Sequence, residues 1–241
     1  MKILLAVTGS ISAYKSCSIT SVLQSKGHEV QCVMTDNAQK FISPMSLAAL
    51  SHRPVLTNED EWSCEDGKIP HIYYTQEWAD IFVISPATAN TIAKISMGIA
   101  DEIVSCMSIA CPLEVPKLIF PSMNTVMLEN NVTESNLKNM ELTGWIVGKT
   151  QEKKLACGTI GKGALEKTRT IIEMIETIET GMTLRDPYNV DITKQNKGPI
   201  NDGEPCPNCK SKNSRRISIE NDGWSCGSCG HLFYKEVNNE G

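Results

Sequence analysis

No apolar run in the 241-residue chain approaches the roughly 20 residues that cross a bilayer. Residues 1–8 are Met-Lys followed directly by a strand-like run, too short for the apolar core of a secretory signal. A basic excess is also missing. The formal net charge is -5, which removes the general electrostatic case for nucleic acid or an anionic membrane as partner. Internal repeats and low-complexity tracts are absent, and the length suits one or two domains. The turn after the first strand holds neither a G-x-G-x-x-G nor a G-x-x-x-x-G-K-[ST] pattern, which speaks against a dinucleotide site or a P-loop. Together these absences lead us to expect a cytoplasmic protein. Its ten cysteines should then be reduced, metal-bound or catalytic rather than paired as disulfides.

What is present is a 41% hydrophobic fraction, enough for one core, arranged as alternating strands and helices. Lys2–Thr8 reads as a buried strand, Ala13–Ser25 as a helix ended by Gly27, and His28–Met34 as a second strand, so the chain opens as a βαβ unit. Residues 57–70 are polar and read as a surface loop, with His71 opening a short helical segment into Trp78. Ile81–Ile84 is the central strand, stopped by Pro86 for want of an N–H, and Thr88 caps the helix that ends near Gly98. Further elements are a helix at Asp101–Ile109, a strand at Lys117–Phe120, a helix at Val132–Leu142 and a short strand at Trp145–Val147. Residues 153–163 carry three glycines without an apolar period and read as a loop. Thr168–Ile178 closes the domain as an amphipathic helix.

This alternation implies an α/β fold, a doubly wound parallel sheet with ligands at the carboxyl ends of its strands. The turns at 9–12, 35–37, 85–91 and 121–124 all follow strands and should converge on one edge. At the first of them Gly9 permits close backbone approach, Ser10 and Ser12 add hydroxyls, and a helix start favours an anion such as phosphate. Cys17, Cys32, Cys106 and Cys111 sit on apolar segments and read as core fillers.

Three regions follow from this reading: a domain over 1–179, a Gly- and Pro-rich linker over 180–204, and a small C-terminal domain over 205–237. In the last, Cys206-Pro-Asn-Cys209 and Cys226-Gly-Ser-Cys229 are separated by 16 residues. Two Cys-x-x-Cys knuckles supply four thiolates in tetrahedral reach of one structural Zn²⁺, the pattern of a zinc ribbon. Residues 216–219 and 232–235 are expected to pair as its strands. So small a domain lacks the core to fold unaided, and the metal supplies much of its folding free energy. Nothing in the sequence names the ribbon's partner.

Five motifs in order resemble the homo-oligomeric, flavin-containing cysteine decarboxylases, over about residues 1–178. They are Gly9-Ser10-Ile11-Ser12-Ala13, His71-Ile72 before Trp78-Ala79-Asp80, Pro86 to Thr91, Pro121 to Met127, and Ala156-Cys157-Gly158 through Gly163. The closest likeness is to members that act on 4′-phosphopantothenoylcysteine in coenzyme A biosynthesis. The resemblance implies a flavodoxin-like sheet binding FMN, with Gly9, Ser10, Ile11, Thr35, Asp36, Asn37, Thr88, Ala89, Asn90, Thr91 and Ser122 around the cofactor. It also implies Asn124, Met127, Lys154, Ala156 and Leu165 at a small-molecule substrate, Cys157 in a clamp loop, and a homotrimer or multiple of trimers with the site between subunits. One spacing departs from the family: there is one residue more between His71 and Trp78-Ala79-Asp80. Inserted into a regular helix, that residue would turn the histidine by about 100°.

The implied chemistry suits these residue types. A cysteine carboxylate has no sink for the carbanion that CO₂ loss creates. Oxidation of the Cβ–S unit to a thioaldehyde, with two electrons passing to the flavin, supplies one, and decarboxylation then gives an enethiolate. Return of the electrons with a proton from Cys157 completes a redox-neutral cycle, and His71 is the implied acid–base residue. Two alternatives remain open at this stage: a peptidyl-cysteine oxidative decarboxylase that stops at the enethiol, and a non-catalytic flavoprotein regulatory subunit.

Overall fold

The N-terminal apolar run forms a fully paired inner strand of the computed structural model, which describes residues 1–64, 67–154, 156, 158 and 160–179, and the backbone of 214–218, 223–226 and 232–234. Five parallel strands make its main sheet: Lys2–Val7 (β1), Glu29–Met34 (β2), Ile81–Ala87 (β3), Lys117–Pro121 (β4) and Trp145–Val147 (β5), in the order β2-β1-β3-β4-β5. This is the flavodoxin-like order, in which the chain reverses direction across the sheet between β1 and β3 and opens a crevice there.

The strands are mostly apolar because both faces are covered. Ile3, Leu5 and Val7 of β1 enter one layer, and Leu4 and Ala6 the other. β3 divides likewise, Ile81 and Val83 against Phe82 and Ile84. The first layer holds Lys15–Ser25 (α1), Asp36–Gln39 (α2) and Pro44–Ser51 (α3), through Ile19, Leu23, Ala38 and Leu47. After the short Pro70–Ile72 helix (α4), the second layer holds Ala89–Ser96 (α5) and Ile103–Ala110 (α6), through Ile92, Ile95, Val104 and Met107. The four-residue Thr125–Leu128 helix (α7) leads into Asn131–Leu142 (α8), whose Met140 joins the second layer. An antiparallel hairpin, Gln151–Lys154 (β6) and Ile160–Ala164 (β7), precedes Thr168–Glu179 (α9), which returns to the first layer with Ile171, Ile172 and Ile175.

Two expectations fail in this main sheet and its hairpin. Pro86 does not stop the central strand, which continues through a cis Ser85–Pro86 bond to Ala87. The register with β4 shifts between Ile84 and Ala87, so the ladder does not use the donor that proline lacks. The Pro86 carbonyl instead accepts the Thr8 hydroxyl at 2.8 Å. The glycine-rich stretch expected as a loop is the β6–β7 hairpin, with Lys153 paired to Gly161 and Lys154 to Ile160.

Chain contacts separate Met1–Ile192 from Thr193–Gly241. In the latter, Ser214–Ser218 (β8), Gly223–Cys226 (β9) and Leu232–Tyr234 (β10) form an antiparallel sheet in the order β10-β9-β8. The two strands expected to pair with each other are separated by β9, which bonds to both. Cys206, Cys209, Cys229 and the linker lie outside the described residues, and of Cys226 only the backbone is described. Among the described residues, no helix is long and apolar enough to cross a membrane.

Candidate functional site

The strand ends do converge. A cavity of about 670 Å³ opens at the carboxyl edge of the sheet, over the crevice between β1 and β3. Each wall continues a strand: Gly9 to Ser12 after β1, Thr35 and Asn37 after β2, Thr88 to Thr91 after β3, and Ser122 to Asn124 after β4. Its size lies within the range of pockets that enclose small molecules and cofactors.

The floor is a set of linked hydroxyls. Ser10 Oγ donates to Ser122 Oγ at 3.1 Å, and Ser122 Oγ donates to Ser12 Oγ at 3.0 Å. Ser10 also caps the 3-10 turn Ile11–Tyr14 by accepting from the Ser12 N–H. Thr88 caps α5 by accepting from the Thr91 N–H, and Thr35 caps α2 through the Ala38 N–H. Gly9 is required by proximity, since a Cβ there would lie 2.5 Å from Asn37 Cβ.

Charge gathers on one side. Lys15, Lys40, Lys153 and Lys154 line the cavity although the chain as a whole is acidic. Burial, and then the neighbouring Lys153, lower the Lys15 pKa below that of a free lysine. Glu102 on the wall is raised by burial, against the pull of Lys94 at 3.4 Å. Lys94 also pairs with Asp101 at 2.8 Å. Ile11, Phe41 and Met127 give the cavity apolar surface.

The β6–β7 hairpin closes the remaining side with Lys153, Lys154, Ala156, Gly163 and Ala164. Two bonds tie it to the turn after β4: the Met123 N–H donates to the Gly163 carbonyl at 2.9 Å, and Thr125 Oγ1 donates to the Lys162 carbonyl at 2.6 Å. Asn124 lines the cavity and also caps α7, its Oδ1 accepting from the Val126 N–H at 2.9 Å.

Most residues singled out in the sequence meet here: Gly9, Ser10, Ile11, Thr35, Asn37, Thr88 to Thr91, Ser122, Asn124, Met127, Lys154 and Ala156. Three do not. Asp36 is exposed at the start of α2, off the cavity wall. Leu165 is fully buried in the first helical layer with Ile171 and Ile175 and does not line the cavity. His71 does not line the cavity of its own chain. Cys157 lies outside the described residues. Sequence reasoning missed Lys15, Lys40, Phe41, Glu102 and Lys153 on the wall. The helix position of Lys15, directly after the serine-rich turn, was the one available signal.

His71 stands on α4, where Pro70 occupies the first turn. Between His71 and Ala79 the chain runs through a π-helical segment, Tyr73–Trp78, closed by an i→i+5 bond from the Ala79 N–H to the Tyr74 carbonyl at 3.1 Å, so the regular-helix premise of the 100° turn does not apply here. Glu61 and Cys106 lie beside His71, with a ligand atom of each within 4.8 Å of the others. Glu61 is buried within the expected surface loop, and Cys106 is half-buried and belongs to neither core layer, unlike Cys32 and Cys111. Burial, and then the Glu61 carboxylate, push the Cys106 thiol up to about 11.

Residues 1–179 match the family model described as Flavoprotein. The chain is 43% identical over 178 residues to a probable phosphopantothenoylcysteine decarboxylase of Streptococcus mutans, covering 73% of this chain and 97% of the relative. To the coenzyme A biosynthesis bifunctional protein CoaBC of Bacillus subtilis it is 34% identical over 174 residues, which is 72% of this chain and 42% of that longer protein. Among solved structures it resembles a PPC decarboxylase mutant complexed with pantothenoylaminoethenethiol, with a TM-score of 0.69 and 31% identity over 74% of this chain and 98% of the other. It also resembles the FMN binding protein AtHal3, with a TM-score of 0.67 and 31% identity over 75% and 97%.

Proposed function

The chain belongs to the Flavoprotein family, and on that premise we propose that it is an FMN-dependent decarboxylase that converts 4′-phosphopantothenoylcysteine to 4′-phosphopantetheine in coenzyme A biosynthesis. The observation that carries the reading is the hydroxyl-floored, lysine-rimmed cavity at the β1/β3 crevice. Its donor set fits FMN. Capped helix starts and the Ser10, Ser12 and Ser122 hydroxyls suit a phosphate and a polyol chain, and Ile11, Phe41 and Met127 suit a flat ring. Lys15 and Lys153 crowd each other until an anion shares them.

Bound FMN would take two electrons from the substrate Cβ–S unit and return them after CO₂ is lost. The remaining work falls to the chain. Gly9, Ser10, Ile11, Thr35, Asn37, Thr88 to Thr91 and Ser122 hold the cofactor, with Asp36 at the edge of that group. Asn124 orients the substrate carboxylate, and Met127, Lys154 and Ala156 flank it. Cys157, which falls between β6 and β7 in the sequence, supplies the proton that converts the enethiol stage to the saturated thiol. His71 acts as acid–base residue at the substrate. Because it lies off its own chain's cavity, the reading takes His71 from a neighbouring copy in a homotrimer or multiple of trimers. Exposed apolar side chains near the cavity and on the His71 side, Val126 and Trp62 among them, support such burial between copies.

The same reading assigns 1–179 to the decarboxylase, 180–204 to a linker and 205–237 to a zinc ribbon on Cys206, Cys209, Cys226 and Cys229. Support comes from the paired Cys-x-x-Cys spacing and from the antiparallel backbone of β8, β9 and β10. The test is to release and identify flavin from the purified protein and to supply 4′-phosphopantothenoylcysteine. FMN and a phosphopantetheine product are expected. A flavin-free protein or an enethiol end product from the wild type would overturn the assignment.

A further inference from the structure

Three groups on three separate elements converge outside the cavity: Glu61 on the loop between α3 and α4, His71 on α4 and Cys106 on α6. Each element is fixed in place. Asp60 Oδ2 accepts from both the Thr57 N–H and hydroxyl, and Asn58 Oδ1 accepts from the Ile103 N–H, which ties the loop to the start of α6. The carboxylate of Glu61 is on a residue only 6% exposed, and among the described residues it makes no ion pair. His71 Nδ1 is buried without a hydrogen-bond partner. The Glu61 carboxylate is hydrogen-bonded to the Cys106 thiol, whereas the orphaned imidazole nitrogen carries a desolvation cost that the protein leaves uncompensated.

We propose that Glu61, His71 and Cys106 form a divalent transition-metal site of zinc type, with water at the fourth position. The donor set is carboxylate oxygen, imidazole nitrogen and sulfur, the borderline mixture that Zn²⁺ prefers over the all-oxygen sets of Mg²⁺ or Ca²⁺. The three ligand atoms already lie within 4.8 Å of one another. Tetrahedral zinc holds such atoms about 3.3–3.8 Å apart, so side-chain torsions close the set by at most about 1.5 Å. Binding exchanges the Cys106 thiol proton for a metal–sulfur bond and releases that proton to solvent. The bound cation neutralises the buried carboxylate and gives the histidine a partner. A consequence that rests on the decarboxylase reading is that a metal on His71 withdraws its imidazole from proton transfer, so the site is inhibitory.

Zinc retained after gel filtration tests the site directly. Metal-stripped full-length wild type, Cys106→Ala and Glu61→Gln are each incubated with Zn²⁺, freed of unbound metal and analysed for zinc per chain. Wild type should retain one equivalent more than either variant, whatever the four C-terminal cysteines hold. Equal retention by all three folded proteins overturns the site. Cys106→Ser serves as the replacement if the alanine variant does not fold. In the activity assay, Zn²⁺ should inhibit wild type reversibly and spare Cys106→Ala. An additional bound equivalent in a protein without decarboxylase activity would leave the metal site standing and sink the decarboxylase reading. Activity without the additional equivalent would do the reverse.

Discussion

The Gly163 carbonyl accepts the Met123 N–H at 2.9 Å, and a Cβ on Gly163 would lie 2.3 Å from the Met123 carbonyl oxygen. Gly163 also has φ +120°, a conformation that side chains resist. The bond fastens the β6–β7 hairpin to the turn that carries Asn124. Gly163→Ala is therefore expected to loosen the hairpin without dissolving the sheet, at a local cost of about 1–3 kcal/mol. Decarboxylase activity should fall roughly tenfold or more, while the main thermal transition moves by only a few degrees. Steady-state kinetics beside a melting curve checks this. Unchanged kinetics would show that the hairpin does not serve the site.

Lys15 and Lys153 stand together on the cavity rim, and burial followed by Lys153 lowers the Lys15 pKa. The unfolded chain then binds more protons between the lowered value and 10.5, so this group's contribution to stability rises with pH across that window. At neutral pH the charge is a stability cost kept for ligand binding. Lys15→Met should hold or raise the melting temperature at pH 7 and weaken FMN retention roughly tenfold. In the wild type, FMN affinity should decline as pH rises through the lowered Lys15 pKa. Flavin fluorescence during dialysis reads both effects, and retention equal to wild type would remove Lys15 from the site.

Much of this arrangement is legible in the sequence because it is local. The apolar runs at Lys2–Val7 and Ile81–Ile84 and the capping residue Thr88 announce themselves within a few positions. The misreadings share a different cause. Pro86 continues a strand because the sheet shifts register around it and Thr8, 78 positions away, bonds its carbonyl. The glycine-rich stretch becomes a hairpin whose docking depends on Met123 and Thr125. Glu61 and Cys106 read as a loop acid and a core thiol, since no spacing pattern joins them to His71. Tertiary partners settled each of these positions.

The C-terminal zinc should be separable from the flavoprotein. Cys209→Ser with Cys226→Ser is expected to lose one zinc per chain and to leave FMN content unchanged, because both cysteines belong to the unit Thr193–Gly241 and the cavity to Met1–Ile192. Chelation should expose 205–237 to protease while 1–179 resists. Elemental analysis and limited proteolysis read the two outcomes. Zinc content equal to wild type in the double variant would refute the ribbon.

Cys157 and His71 should fail at different stages, and the difference identifies their roles. Oxidation and CO₂ loss precede the step assigned to Cys157, so Cys157→Ser should release CO₂ and stop with the enethiol bound. The flavin should then remain reduced for lack of an acceptor that can be protonated. His71→Ala removes the group that handles the proton at the substrate, so CO₂ release itself should drop, by roughly 10²-fold or more. Mixing the two inactive variants extends the test to assembly. If each cavity takes its histidine from a neighbouring copy, oligomers re-formed from both variants contain some sites with an intact Cys157 beside an intact His71. Phosphopantetheine formation should return in that mixture. With both groups drawn from one chain, no mixed site is whole, and the mixture stays as inactive as its parts.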